Sequence, residues 1–239
     1  MIGTAQQLKE QVAWACRILA LEGYSDLTLG HVSARASDGG VLIKRKGVAL
    51  GEVEPEDVVE LGDESVPLHL ETVLHTEVYR ARPDVGAVVH GHPPYATALA
   101  ATEARLELLT HDAVLFKDGI ARYNESADLI TEPEQGQAVA RALGSHRAVL
   151  LRNHGVLVAG KDVAWAVLGA VTLERAIAMQ SVAGSLGPLR PIPPDWAERL
   201  YPEKYTDPLV EEYWASWVRR VQRFSARPGN APGASEERT

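Results

Sequence analysis

Apolar residues at Leu8, Val12, Ala15, Cys16 and Leu19 follow the three-and-four spacing of one helix face, which predicts a helix over 4–23 with Gly23 as its stop. Alternation over 27–34 and 40–43 predicts a hairpin that turns at 37–40. Residues 54–57 predict a short helical turn ahead of a strand over 58–61. Leu74, Val78 and Ala81 share one face of a predicted helix over 71–82, ended by Pro83-Asp84. A strongly apolar strand is predicted over 86–90, and Pro93-Pro94 breaks it ahead of a helix over 95–101.

A further helix is predicted over 135–143. Strands over 148–151 and 155–158 flank Arg152-Asn153-His154, and Gly160-Lys161-Asp162 leads into a long apolar helix from 163 to about 183. Irregular alternation of strands and helices, with frequent hairpins, predicts a mixed or antiparallel sheet covered by helices rather than a doubly wound parallel one. No GxGxxG follows a strand and no GxxxxGK[ST] occurs, so dinucleotide and P-loop readings have no support. Tyr201, Tyr205, Tyr213, Trp214 and Trp217, with Arg219 and Arg220, predict an amphipathic helix packed on its own domain or on a neighbouring subunit. One domain is expected over 1–224, with a loose tail, small, polar and rich in Pro and Gly, over 225–239.

Composition narrows the class. With 239 residues, 46% hydrophobic and 23% charged, the chain is an ordinary globular protein rather than a disordered or fibrous one. A formal charge of −8 lacks the basic footprint of a nucleic-acid binder. A single cysteine, Cys16, excludes an intramolecular disulfide framework and a Cys-rich zinc module. The start has neither a basic nor an apolar signal region, and no apolar run approaches the ~20 residues that span a bilayer. A cytoplasmic protein with no membrane partner is expected.

Four segments carry candidate chemistry. In AVVHGHPPYA, His90 and His92 lie two apart at a strand end, so both rings fall on one side, an arrangement that suits a divalent metal. The bland alternative is one core and one solvated histidine. In LLRNHGVLVAG, a polar Asn153-His154 pair interrupts an apolar run. As a third ligand His154 would complete the stoichiometry of a catalytic metal, three protein ligands and one open position. In HLETVLHTEVYRARPDV, Glu71 is a helix-start residue favoured by the dipole, a fourth ligand, or a general acid/base. His75, four residues on, offers a separate chelate with Glu71, His69 is close by, and spacing does not choose among these. In GHVSARASDGGVLIKRKGVALG, Lys44, Arg45 and Lys46 form either a solvated loop or an anion clamp.

These segments, in this order, resemble the class II aldolase/adducin family, from about the first helix to the long one near Ala183. The resemblance implies a single α/β/α layered domain with a central, mainly antiparallel sheet, assembled as a homotetramer with sites between subunits. It implies that His90, His92 and His154 bind one divalent ion, Zn or Mn, with Fe or Co as alternatives, and that Glu71 is the acid/base. Sugar-phosphate members cradle phosphate with Gly-Asn, Thr-Gly or Ser-Gly, and Ser-Ser pairs. Here those positions read Gly30-His31, Lys46-Gly47 and His69-Leu70, so small hydrogen-bonding residues give way to cations, imidazoles and a leucine. That change is similar to the family's decarboxylase branch, which acts on hydroxylated aromatic or dienoic carboxylates, dihydroxyphthalate among them. The implied partner is a small carboxylate held by His31, Ser33, Lys46, Gly47 and His69. The implied reaction passes the C–CO₂ electrons toward an oxygen whose charge the cation stabilises, giving an enolate equivalent. A sugar-phosphate aldolase or epimerase, an adducin-like binding module and a metal-dependent oxygenase are the alternatives.

Overall fold

The computed structural model describes residues 4–226. Helix α1 (Ala5–Leu19) opens on a reciprocal cap between Thr4 and Gln7, loosens into a wider turn at Ala20–Tyr24, and stops at Gly23, whose φ of 98° continues no helix. Strands β1 (His31–Arg35) and β2 (Val41–Lys44) form the expected hairpin, followed by β3 (Val58–Glu60). Then come α2 (Val73–Ala81), β4 (Ala87–Gly91), α3 (Pro94–Ala100), β5 (Ala121–Tyr123) and α4 (Pro133–Leu143). Strands β6 (Ala148–Leu151) and β7 (Gly155–Gly160) precede α5 (Val163–Leu186), α6 (Pro194–Lys204) and α7 (Asp207–Ser225).

The seven strands form one sheet in the order β3-β2-β1-β4-β7-β6-β5, antiparallel throughout except for the parallel β5–β6 pair. Strand alternation feeds two cores. Ala87, Val89, Ala148, Leu150, Val156 and Val158 face the layer holding α1, α3, α5 and α7. Val88, Val149, Leu151, Leu157 and Ala159 face α2 and α4 on the other side. The expected α/β/α layering with a mainly antiparallel sheet is what the chain adopts. His31, Ser33 and His90 fall on the α2 face by the same alternation, and His31 pairs directly with His90 across β1 and β4.

Several boundaries differ from the sequence pattern. The strand expected from residue 27 begins at His31, because Leu27 takes a left-handed φ of 49°. The helix expected from residue 71 begins at Val73, since Leu70–Thr72 forms a tight turn in which Glu71 bends to φ −90°, ψ 24°. The C-terminal aromatic stretch is two helices with a break at Tyr205–Thr206, and Tyr213, Trp214 and Trp217 pack on their own domain's core. Ser225 still belongs to α7, and the rest of the expected tail, 227–239, lies outside the described residues. Helix α5 also corrects the bilayer reading. Its 24 residues are long and apolar enough to span, but Val163 through Ile177 are largely buried against the sheet, as suits a core helix that is apolar on all sides.

Candidate metal centre

Three backbone features bring the cluster together. His90 ends β4 on the α2 face. His92 follows one residue past the strand, where Pro93-Pro94 start α3 and the buried Glu174 of α5 accepts hydrogen bonds from the first-turn amides of Tyr95 (2.9 Å) and Ala96 (2.8 Å). His154 sits in the β6–β7 turn. Asn153 supplies that turn's left-handed residue at φ 55°, and Gly155 lets it close against the His92 loop. A Cβ on Gly155 would lie 2.5 Å from the Gly91 carbonyl and 2.7 Å from His92 Cδ2. The asparagine and glycine around His154 are thus turn geometry, and the histidine is what the turn delivers.

Glu71 completes the group. One ligand atom from each of Glu71, His90, His92 and His154 falls within 4.8 Å of every other. Glu71 Oε2 lies 3.5 Å from His90 Nε2 and 3.4 Å from His154 Nε2, while Oε1 accepts from the Ile130 amide at 3.1 Å. Burial pushes the Glu71 carboxyl up, but the adjacent His154 and His90 rings outweigh it and hold the group well below the usual carboxylate range. Burial holds His90 below its ordinary value, with Glu71 pulling the other way.

The imidazoles are aimed from behind. His90 Nδ1 donates to the Val156 carbonyl at 3.1 Å, and His92 Nδ1 donates to Asp26 Oδ2 at 2.9 Å. Each bond fixes the proton on Nδ1 and leaves Nε2 with its lone pair. Both Nε2 atoms are buried without a hydrogen-bond partner among the described residues. Leaving such an atom unsatisfied costs about 1–3 kcal/mol, and a divalent cation satisfies both at once. Three neutral nitrogens and a carboxylate suit Zn, Mn, Fe or Co.

A second polar group lies beside this one. His31, buried, bonds through Nδ1 to His75 Nε2 at 2.6 Å. His75 Nδ1 bonds Ser33 Oγ at 2.6 Å, which meets the Tyr79 hydroxyl at 2.8 Å. Both nitrogens of His75 are therefore committed, and the Glu71–His75 chelate does not form. His31 also rests against His69 and His90, at ring centroid distances of 4.5 and 5.0 Å. Lys44 is fully buried, and its Nζ donates to His69 Nε2 (3.1 Å) and to the Thr28 and Arg45 carbonyls. Arg45 pairs with Asp57. Of the three loop cations, then, two have partners within the chain, while Lys46 and Gly47 stand exposed in the loop after β2. Ser33 is buried, with its hydroxyl engaged as above. His111 is exposed in a turn. A cavity of about 530 Å³ lined by Arg147, Lys161, Trp165 and Tyr201 holds none of the metal-centre residues.

Sequence reasoning missed Asp26, the Ile130 amide, Glu174 and Tyr79. Asp26 and Ile130 stand 66 and 59 residues from the groups they hold and leave no local signal. Tyr79 did leave one, standing four residues after His75 on a single helix face.

The sequence pattern described as the class II aldolase and adducin N-terminal domain matches residues 10–181. A 3,4-dihydroxyphthalate decarboxylase of Arthrobacter keyseri is 32% identical over 207 residues, covering 77% of this chain and 82% of its own. A methylthioribulose-1-phosphate dehydratase of Gluconobacter oxydans is 32% identical over 199 residues, covering 73% and 96%. The structure of an L-fuculose 1-phosphate aldolase from Glaciozyma antarctica superposes with a TM-score of 0.81 over 94% of each chain at 23% identity, a likeness of fold.

Proposed function

The chain belongs to the class II aldolase and adducin family, and from that premise we propose that it is a divalent-metal-dependent carbon–carbon lyase that removes CO₂ from a hydroxylated aromatic or vinylogous carboxylate. The observation that carries the reading is the wall beside the metal centre. His31 packs between His90 and His69, and the buried Lys44 cation sits behind His69 with no carboxylate bonded to its Nζ among the described residues. A desolvated cation next to imidazole donors favours an anion in front of them. Leu70, 64% exposed, occupies the sequence position where the resemblance implies a phosphate-binding serine in sugar-phosphate members, and it offers no donor there.

A divalent ion on His90, His92 and His154 would supply Lewis-acid stabilisation of negative charge. The rest falls to the chain's own groups. His31 and His69 hold the substrate's carboxylate and hydroxyl in place, with Lys46 and Gly47 at the outer edge. Glu71, ionised, takes the proton of the substrate hydroxyl. Loss of CO₂ leaves its bonding electrons on the ring, and Glu71 returns the proton to that carbon, so that atoms and charge close. The enzyme works in the cytoplasm as a homotetramer, in which a neighbouring subunit covers the exposed Leu27, Leu29, Leu70 and Leu129.

The 32%-identical dehydratase keeps a sugar-phosphate reading in play. One assay separates the two. Metal-reconstituted protein is offered ortho-hydroxyaryl carboxylates, including dihydroxyphthalates, and separately fuculose 1-phosphate. CO₂ release from the first set with no aldehyde from the second is the expected result. Efficient cleavage of the sugar phosphate, with no CO₂ from any aryl acid, overturns the decarboxylase reading.

A further inference from the structure

Four buried groups run in series beside the metal centre: the Tyr79 hydroxyl, Ser33 Oγ, His75 and His31, joined at 2.8, 2.6 and 2.6 Å. All four side chains are 5% exposed or less. No carboxylate bonds His31 or His75 among the described residues, and an unpaired buried charge is costly, so both imidazoles are neutral and carry one N–H each. Burial raises the Tyr79 hydroxyl well above its ordinary value, so it keeps its proton. The series therefore has one hydrogen per member and three links to fill. Only two arrangements fill every link once. Either every hydrogen points toward His31, or every hydrogen points away from it.

The far end decides between them. Among the described residues, Ser33 Oγ is the only acceptor within hydrogen-bond reach of the Tyr79 hydroxyl. If Ser33 donated to Tyr79, the phenolic hydrogen would be buried with nothing to bond. That costs about 1–3 kcal/mol, which favours the other arrangement by about 5- to 150-fold. Tyr79 therefore donates to Ser33, Ser33 to His75 Nδ1, and His75 Nε2–H to His31 Nδ1. The remaining hydrogen of His31 is on Nε2, which makes no hydrogen bond among the described residues but, unlike Nε2 of His90 and His92, is not sealed from solvent, so this end of the series can leave its hydrogen free at little cost.

We propose that His31 is the site's neutral substrate-binding donor, presenting Nε2–H to a substrate oxyanion, and that Tyr79, Ser33 and His75 are positioning residues that set its tautomer. The same protons bar His31 from joining the metal: its Nδ1 lone pair is taken by His75 and its Nε2 carries hydrogen. The donor role rests on the reading of this cluster as a site for an anionic substrate, whereas the tautomers do not.

The test uses full-length, zinc-loaded protein labelled with ¹⁵N-histidine. Long-range proton–nitrogen correlations report which nitrogen of each ring is protonated, with His31→Asn and His75→Asn assigning the signals. Both rings are expected as Nε2–H. Ser33→Ala removes the donor to His75 and is expected to shift His31 toward Nδ1–H and to weaken salicylate binding about tenfold, the scale of one hydrogen bond to a charged group, with zinc content unchanged. Ser33→Thr, which keeps the hydroxyl, restores both. An Nδ1–H tautomer on either ring in the unaltered protein overturns the proposal, as does a Ser33→Ala protein with unchanged tautomers and salicylate affinity. Correct tautomers in a protein that releases CO₂ from no aryl acid count against the decarboxylase reading alone.

Discussion

His90 on β4 and His31 on β1 are register partners with their rings 5.0 Å apart, and both are almost wholly buried, yet they are wired in opposite ways. His90 donates one bond backward, from Nδ1, and its Nε2 has no hydrogen-bond partner among the described residues. His92 repeats the arrangement through Asp26. His31 and His75, in contrast, bond each other, and His75 is saturated at both nitrogens. Burial and proximity do not distinguish these rings. Hydrogen-bond satisfaction does: a ring held at one nitrogen and orphaned at the other is ready for a cation, and a ring inside a closed series directs a proton.

The sharpest way to break the contrast is to remove a ligand-ready ring. His92→Ala is expected to fold and to lose bound metal and turnover together, read by elemental analysis beside circular dichroism. Full metal content in that variant would put the cation elsewhere. Glu71→Gln separates ligation from proton transfer. With His90, His92 and His154 intact it is expected to retain metal but lose turnover by about 10²-fold or more, the scale of a general acid or base. A Glu71→Gln protein with nearly full rate would reduce Glu71 to a residue that favours a helix start.

The contrast also explains what could be read from the sequence. The metal side was legible because its chemistry is compressed into short segments: His90 and His92 two apart on a strand end, and His154 between an asparagine and a glycine that the turn itself requires. A mainly antiparallel sheet covered by helices was legible from period-two and period-3.6 patterns, its α/β/α layering came from the family resemblance, and of its strands only the short β5 was not anticipated. The second group was opaque because its bonds cross between elements. Ser33 meets His75 and Tyr79 at separations of 42 and 46 residues, and Lys44 meets His69 across 25. Lys44 illustrates the limit. In sequence it belongs to a cationic run that reads as a solvated loop, and only the strand register of β2 shows that it points inward while Lys46 points out.

A smaller effect is expected one step behind the metal. Asp26→Asn keeps the shape of the His92 partner but removes its charge. Metal affinity is expected to fall about 10- to 100-fold, the usual scale for a carboxylate behind a ligating imidazole. Titration against a zinc chelator measures it. An unchanged affinity would make the Asp26–His92 contact an ordinary partly exposed ion pair, with little energy of its own.

The smallest effect probes the committed side through Lys44. Burial pulls its ammonium from an ordinary value of 10.5 down to about 8, with Cys16 and Asp57 offsetting part of the shift. In the unfolded chain the group protonates near its ordinary value, so between about pH 8 and 10.5 the unfolded state binds more protons than the folded one. Stability contributed by Lys44 therefore rises with pH across that window, is complete above it, and is reduced by a constant amount below it. Lys44→Met removes this dependence. It also leaves the Thr28 and Arg45 carbonyls and His69 Nε2 without their donor, so the variant's stability at neutral pH is set by two opposed terms. The slope carries no such ambiguity. The stability of the unaltered protein minus that of Lys44→Met is expected to increase steadily from pH 8 to 10 in urea unfolding. Parallel curves would mean that Lys44 is solvated in both states, and that the imidazole wall has no desolvated cation behind it.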